Sequence, residues 1–239
     1  MSAQTTRAAI DDALQADPRV HIDELVINQS GDDGRITVEG LVDDIQAKRL
    51  AINAVWGVVK RDHPIVDRLR VRAAPEGESE FRAELEKTLG TEGMFANHTL
   101  VLEAAGERQL LHDSGADAPR IEARISGPVV TLEGTVPSLS HLRFAEVLCW
   151  WAPGCERVDN HLQVDPPEED SDEELVDVIR MVLEKDPLVD ATQLRVGCAG
   201  GFVELRGLVV REEQRQLAVL DSWYVPGVWS VVDHIDVRS

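Results

Sequence analysis

The residues nearest to a metal-binding set are His141, Cys149, Cys155 and His161. Imidazole and thiolate together are what zinc selects. The local patterns put Cys149 on a helix, Cys155 in a turn and His161 on a strand, so the four side chains can converge. Their spacing matches no zinc pattern, and a buried cysteine usually behaves as a small hydrophobe, so no metal is expected. No phosphate-cradling glycine loop, HExxH pair or nucleophile elbow occurs, so neither catalytic residues nor a cofactor is expected. The acidic run Glu168-Glu169-Asp170 lacks the alternating oxygen ligands and glycine turn of a calcium loop. It leads into Ser171 and Glu174, which read as a capping box for the next helix.

Two other groups invite a binding role. Arg68, Arg70 and Arg72 alternate with Leu69 and Val71, so a strand puts three guanidinium groups on one face. That face suits an acidic partner or a phosphate, against the blander reading of a solvated sheet surface. Trp56, Trp150 and Trp223 are the second group. On a helix whose inner stripe runs through Leu217, Leu220 and Tyr224, or Phe144, Val147 and Trp151, these indoles sit about 100° off the stripe. They either meet a neighbouring unit or partner, or fold back into their own core where the helix ends.

Charge limits the partners. The 239 residues hold 24 Lys and Arg against 44 Asp and Glu, a net charge of −20. Such a chain is a poor match for nucleic acid or an anionic membrane. Residues 1–75 carry 10 basic and 12 acidic residues, while residues 76–167 and 168–239 each carry 7 and 16. The first third is therefore electrostatically distinct. No run approaches the roughly 20 apolar residues of a membrane span. The N-terminus carries Asp11, Asp12 and Asp17 and no apolar signal segment, and the three cysteines form no disulfide framework, so the cytoplasm is expected.

The elements that must position these residues repeat three times. Ile36-Thr37-Val38-Glu39-Gly40, Val130-Thr131-Leu132-Glu133-Gly134 and Val203-Glu204-Leu205-Arg206-Gly207 alternate like half-buried strands and stop at glycine. Eleven residues after each glycine stands alanine (Ala51, Ala145, Ala218), and sixteen after stands tryptophan. Gly154 and Gly227 follow in two copies, each inside a Pro-Gly turn. A valine-rich strand closes each unit. Upstream, helices near Thr6 to Ala16 and from Leu175 to Leu183 end at Asp-Pro, where proline disfavours helix at the preceding residue. The middle copy offers Phe81, Leu85 and Leu89 instead. First strands are expected at Glu24 to Asn28, Ile121 to Ser126 and Gln193 to Cys198, joined to the second by turns at Ser30 to Gly34 and Ala199 to Gly201. Each unit reads helix, strand, strand, helix, strand.

Each unit resembles a BON domain, the domain of bacterial osmotic-shock and nodulation proteins. The strand ending in Gly40, Gly134 or Gly207, the helix alanine, the Pro-Gly-Val turn at Pro226 to Val228 and the final strand carry the resemblance. It implies an α+β fold of three tandem α-β-β-α-β units, each a small three-stranded mixed sheet with two helices on one face. The expected limits are residues 1–74, 78–166 with an insertion at 91–119, and 171–239. The insertion holds a candidate hairpin, Thr99 to Leu102 and Arg108 to Leu111, and reads equally as functional or as a tolerated surface excursion. The resemblance implies non-enzymatic binding or scaffold work in osmotic or envelope stress. The alternative is a sensor of potassium, calcium or a small ligand, with its site between units. A protein partner or self-association is expected, and nucleic acid and membrane are not. Gly40, Gly134, Gly207, Gly154 and Gly227 are expected to be structural, the first three ending the second strand.

Overall fold

The computed structural model describes residues 3–30, 34–59, 63–74 and 77–238. The expected turn residues Gly31, Asp32 and Asp33, and the linker residues Pro75 and Glu76, lie outside the described residues. The chain divides into two compact bodies, Met1–Arg72 and Ala73–Ser239.

The first body contains α1 (Ala3–Ala16), β1 (Ile22–Gln29), β2 (Ile36–Val42), α2 (Ile45–Val59) and β3 (Ile65–Val71). Its sheet runs β1-β2-β3, with β1 antiparallel and β3 parallel to β2. A short turn can only return the chain antiparallel, whereas α2 provides the crossover that a parallel strand requires. Ile10 and Leu14 of α1 and Ile45, Ala51 and Val55 of α2 are buried, as are Ile36, Val38 and Leu69 of the sheet.

The second body holds two copies of the repeat. The middle one contains α3 (Glu78–Gly90), β4 (Thr99–Ala104), β5 (Glu107–His112), β6 (Arg120–Ser126), β7 (Val129–Val136), α4 (Leu139–Trp151) and β8 (Arg157–Val164). The third contains α5 (Asp172–Lys185), β9 (Leu194–Ala199), β10 (Phe202–Val209), α6 (Glu212–Tyr224) and β11 (Ser230–Val237). The third sheet has three strands in the order β11-β10-β9. The middle sheet corrects the expectation of three strands in every unit: it has five, in the order β5-β4-β6-β7-β8. The insertion forms the hairpin β4–β5, and β4 adds parallel to β6. An edge strand presents unpaired amides and carbonyls, and β4 satisfies those of β6.

The three key glycines lie inside their strands rather than at the ends. β2, β7 and β10 each run two residues beyond Gly40, Gly134 and Gly207. At these points the start of the first strand comes so close that a Cβ would strike the Ile22 side chain at Gly40, the Arg120 carbonyl at Gly134, and at Gly207 the carbonyl of Gln193, the residue just before β9. The backbone also takes positive φ there, 157°, 128° and 153°. Close approach, not termination, is what a missing side chain permits.

A second shared device was not legible from the repeat motif. Asp67, Asn160 and Asp233 occupy equivalent positions on the closing strands, paired with Val38, Leu132 and Leu205. Each side chain accepts a hydrogen bond from the amide two residues on, at Leu69, Leu162 and Ile235. Each also reaches back to the second helix of its unit. The buried Lys48 donates to Asp67 at 2.7 Å, Asn160 donates to the Leu142 carbonyl at 3.1 Å, and Arg215 lies 3.5 Å from Asp233.

The helix faces also differ from the expected stripe. On α6 the buried residues are Ala218, Asp221, Ser222 and Trp223, while Leu217, Leu220 and Tyr224 are only half-buried. On α4 every residue from Arg143 to Trp150 is buried. The reason is that α4 packs on β7 and β8 of its own sheet and also against α5 and α6. A helix covered on several sides has no single inner face.

Candidate functional site

The middle and third repeats meet along a seam of helices, and its centre is Arg143. This side chain on α4 is buried, with 3% of the residue exposed. Its Nε donates to the Pro226 carbonyl at 2.9 Å and its Nη1 to Glu174 at 2.8 Å. Its Nη2 donates to both carboxylate oxygens of Asp170, at 2.6 and 2.7 Å. One guanidinium thus joins the middle repeat to the linker, to the first turn of α5 and to the Pro-Gly turn of the third. Gly227, with φ of 99°, keeps that turn open: a Cβ would sit 3.1 Å from Nη2 of Arg143. Gly154 adopts a similar φ of 90° in the middle turn.

The acids around Arg143 revise the capping box. Ser171 accepts from the Glu174 amide at 3.2 Å, as a cap does. The Glu174 carboxylate, however, turns to Arg143 and to Ser140, which donates at 3.0 Å. Burial pushes the Glu174 carboxyl above its ordinary range despite the Arg143 charge. Glu168 accepts from the Leu139 amide at 2.9 Å. The acidic run, though exposed, therefore contributes Glu168 and Asp170 to the seam. Lys185 adds a contact with Glu92 at 2.6 Å.

Two further groups line the seam. The Trp150 and Tyr224 rings lie 6.4 Å apart, centre to centre, across the repeats. Asp221 is buried, and its carboxyl is raised to about 8 by loss of water, by the nearby charge of Asp186 and by a hydrogen bond to it; a Trp151 hydrogen bond opposes the shift. Two carboxyls in contact cannot both ionise cheaply, so Asp221 keeps its proton at neutral pH. In the middle repeat the buried His98 stands against Phe95 and His141, with ring centres 5.5 and 5.2 Å away. Loss of water, reinforced by His141, lowers His98 to about 4.

The sequence candidates separate in space. His141 sits beside His98, Cys149 is buried near Cys155 and Glu146, and His161 is exposed on the outer face of β8. Burial raises the Cys149 thiol well above its ordinary value. Among the described residues no group of three or more His, Cys, Asp or Glu is placed to hold a metal ion. Arg68 and Arg70 are exposed on β3, and Arg72 is engaged by Asp23 at 2.6 Å and Asp43 at 3.4 Å. Trp56 is half-buried, Trp150 is 5% exposed and Trp223 is fully buried. The first body also holds a cleft of about 310 Å³, floored by Ile10, Ile27 and Ile36 and rimmed by Arg7 and Asn28. Sequence reasoning passed over Arg143 because one arginine in a helix carries no pattern; the lone basic residue among buried positions was its only signal.

The outward faces of the two sheets in the second body differ. On the middle sheet Arg108 and Arg120 both meet Glu122, Arg124 bridges Glu103 and Glu133, and Arg157 pairs with Asp159. The middle face also exposes Leu110 of β5, at 55%, whereas the third sheet exposes Phe202, Leu208 and Val232 at 56, 46 and 45%. Glu204 there pairs with Arg206 at 2.6 Å and with His234 at 3.2 Å. Exposed large apolar side chains on one sheet face mark a surface suited to protein contact.

Comparison with known families matches the BON domain over residues 2–73, 101–166 and 171–239. No curated protein gives a significant match. Among solved structures, the chain is similar to the C-terminal domain of CdsD, the structural protein of the type III secretion system of Chlamydia trachomatis. Identity is 11%, with full coverage of both chains and a TM-score of 0.26. A second structure of CdsD from the same organism is 12% identical, over 98% of this chain and 92% of that one, with a TM-score of 0.25. Among the described residues no helix is long and apolar enough to cross a membrane.

Proposed function

Because the chain belongs to the BON domain family, we propose that this non-enzymatic binding protein is a scaffold that docks protein surfaces during osmotic or envelope stress. The binding role accords with that family, and the stress context is what the resemblance to osmotic-shock and nodulation proteins implies. The observation that carries the docking reading is the contrast between sheets in one body. Ion pairs line the middle outer face beside one exposed leucine, Leu110, whereas three large apolar side chains, Phe202, Leu208 and Val232, stand open on the third. The Arg143 seam supports the same reading, since it holds two repeats as one platform. The reading places this work in the cytoplasm and gives membranes no part in it.

The test is genetic and physical. Cells lacking the chain are exposed to hyperosmotic shock and complemented with wild type or with the Phe202→Ser/Val232→Thr double variant. The scaffold reading expects wild type to restore growth and the double variant, folded and equally abundant, to fail. Loss of the chain without any stress phenotype, or full rescue by the variant, would overturn it.

A further inference from the structure

The outward side chains of the central strand β10 read Phe202, Glu204, Arg206, Leu208. Their inward neighbours Val203, Leu205 and Val209 are buried, which fixes the alternation. The outward series is apolar, acidic, basic, apolar. Reversed, it becomes apolar, basic, acidic, apolar, the electrostatic complement of itself. We propose that the outer face of the third sheet binds the same face of a second copy of this chain, antiparallel, about a two-fold axis crossing β10 at Leu205. The inference rests on the scaffold reading and names the partner.

The register of the flanking strands bears on the fit. Glu204 pairs with Gly197 on β9 and Val232 on β11, and Arg206 pairs with Arg195 and His234. Phe202 pairs with Ser230 and Leu208 with Asp236. A two-fold axis between the Glu204 and Arg206 levels lays Phe202 over Leu208 of the other copy and Glu204 over its Arg206. It lays Arg195 over Gly197, where no side chain obstructs the guanidinium. It also brings Ser230 to Asp236, a hydroxyl to a carboxylate, and Val232 to His234. No like charges are opposed in this arrangement. A parallel arrangement would stack Arg206 on Arg206, so the antiparallel one is selected. Such self-complementarity is what a closed two-fold interface requires.

The area sets the strength. Three strands of this length offer about 400 Å² per copy at ordinary strand spacing. A standard stable interface buries about 800 Å² per partner. The dimer is therefore weak and dependent on concentration.

Sedimentation of the full chain from about 1 µM to about 1 mM reads it directly. Wild type is expected to move from monomer to dimer across that range. Arg206→Glu and Glu204→Arg each oppose like charges and are expected to weaken the dimer at least about tenfold. An equimolar mixture of the two single variants restores opposite charges and is expected to associate, as is the double swap Glu204→Arg/Arg206→Glu. Circular dichroism of each single variant establishes that it is folded. A wild type that stays monomeric throughout, a folded Arg206→Glu chain that dimerises like wild type, or a mixture of folded variants that fails to associate would overturn the proposal. A monomeric wild type that still rescues stressed cells removes the dimer and leaves the scaffold reading standing.

Discussion

The middle and third repeats share one body and, apart from the β4–β5 insertion, one chain order of elements, yet their outer sheet faces differ in the balance of charged and apolar side chains. The middle repeat carries its ion pairs on the outer sheet face and buries a neutral imidazole, His98. The third exposes three large apolar side chains around a single Glu204 cluster with Arg206 and His234, and it buries a carboxyl, Asp221. Surface ion pairs contribute little to stability but deny apolar contact to a partner. Exposed Phe202 and Val232 have the reverse consequence. The same fold can thus be closed or adhesive according to which residues occupy the outward positions of its strands.

The seam is where this comparison breaks with the largest effect. Arg143→Ala leaves Glu174 and Asp170 without their cation, and Glu174 is already part-buried. Breaking a buried pair from one side costs about 3–5 kcal/mol. Chemical denaturation of the second body should show a loss of that order, and a loss below about 1 kcal/mol would mean that Arg143 does not hold the repeats together.

The glycines come next and should treat both repeats alike. Gly134→Ala and Gly207→Ala each drive a Cβ into a neighbouring carbonyl at positive φ. Each is expected to destabilise by more than about 1 kcal/mol. An unchanged melting midpoint for either would show that the close approach relaxes freely.

Acid and base sharpen the contrast between the buried groups. His98 is lowered from an ordinary 6.5 to about 4. The unfolded chain therefore binds the extra proton first, and stability falls as pH drops from 6.5 toward 4. Asp221 is raised from 3.8 to about 8. The folded chain holds that proton longer, so its contribution is full below about 4 and is lost as pH rises toward 8. In thermal melts across pH, His98→Phe should flatten the acid limb and Asp221→Asn the alkaline limb. Unchanged limbs in both variants would contradict the assignments.

The outer faces should give the smallest changes. Arg124→Ala on the middle sheet and Phe202→Ser on the third are each expected to move stability by no more than about 0.5 kcal/mol. Equal insensitivity in calorimetry would separate the docking role of Phe202 from folding, and a large loss for Phe202→Ser would place that ring in the core instead.

Much of this organisation is written in local pattern. The three strand-glycine motifs, the alanines eleven residues on and the Asp-Pro helix ends rest on interactions a few residues long, and Ala51, Ala145 and Ala218 are all fully buried. The hairpin at β4 and β5 is likewise local, two short runs joined through Ala105 and Gly106. The helix stripe failed where distant elements intervened: Leu217 and Leu220 obey helical spacing, but burial on α6 went to Ala218, Asp221, Ser222 and Trp223.

The sequence by itself determined the repeat, the order of its elements and the alternation that makes Phe202, Glu204, Arg206 and Leu208 share a face, because those depend on backbone periodicity. Only the tertiary structure decided that β4 joins β6, that Asp67, Asn160 and Asp233 tie each closing strand to its helix, and that Arg143 meets Pro226. These pairings link residues up to 83 positions apart. Their energies come from burial and charge assembled by the whole fold, which no local spacing records.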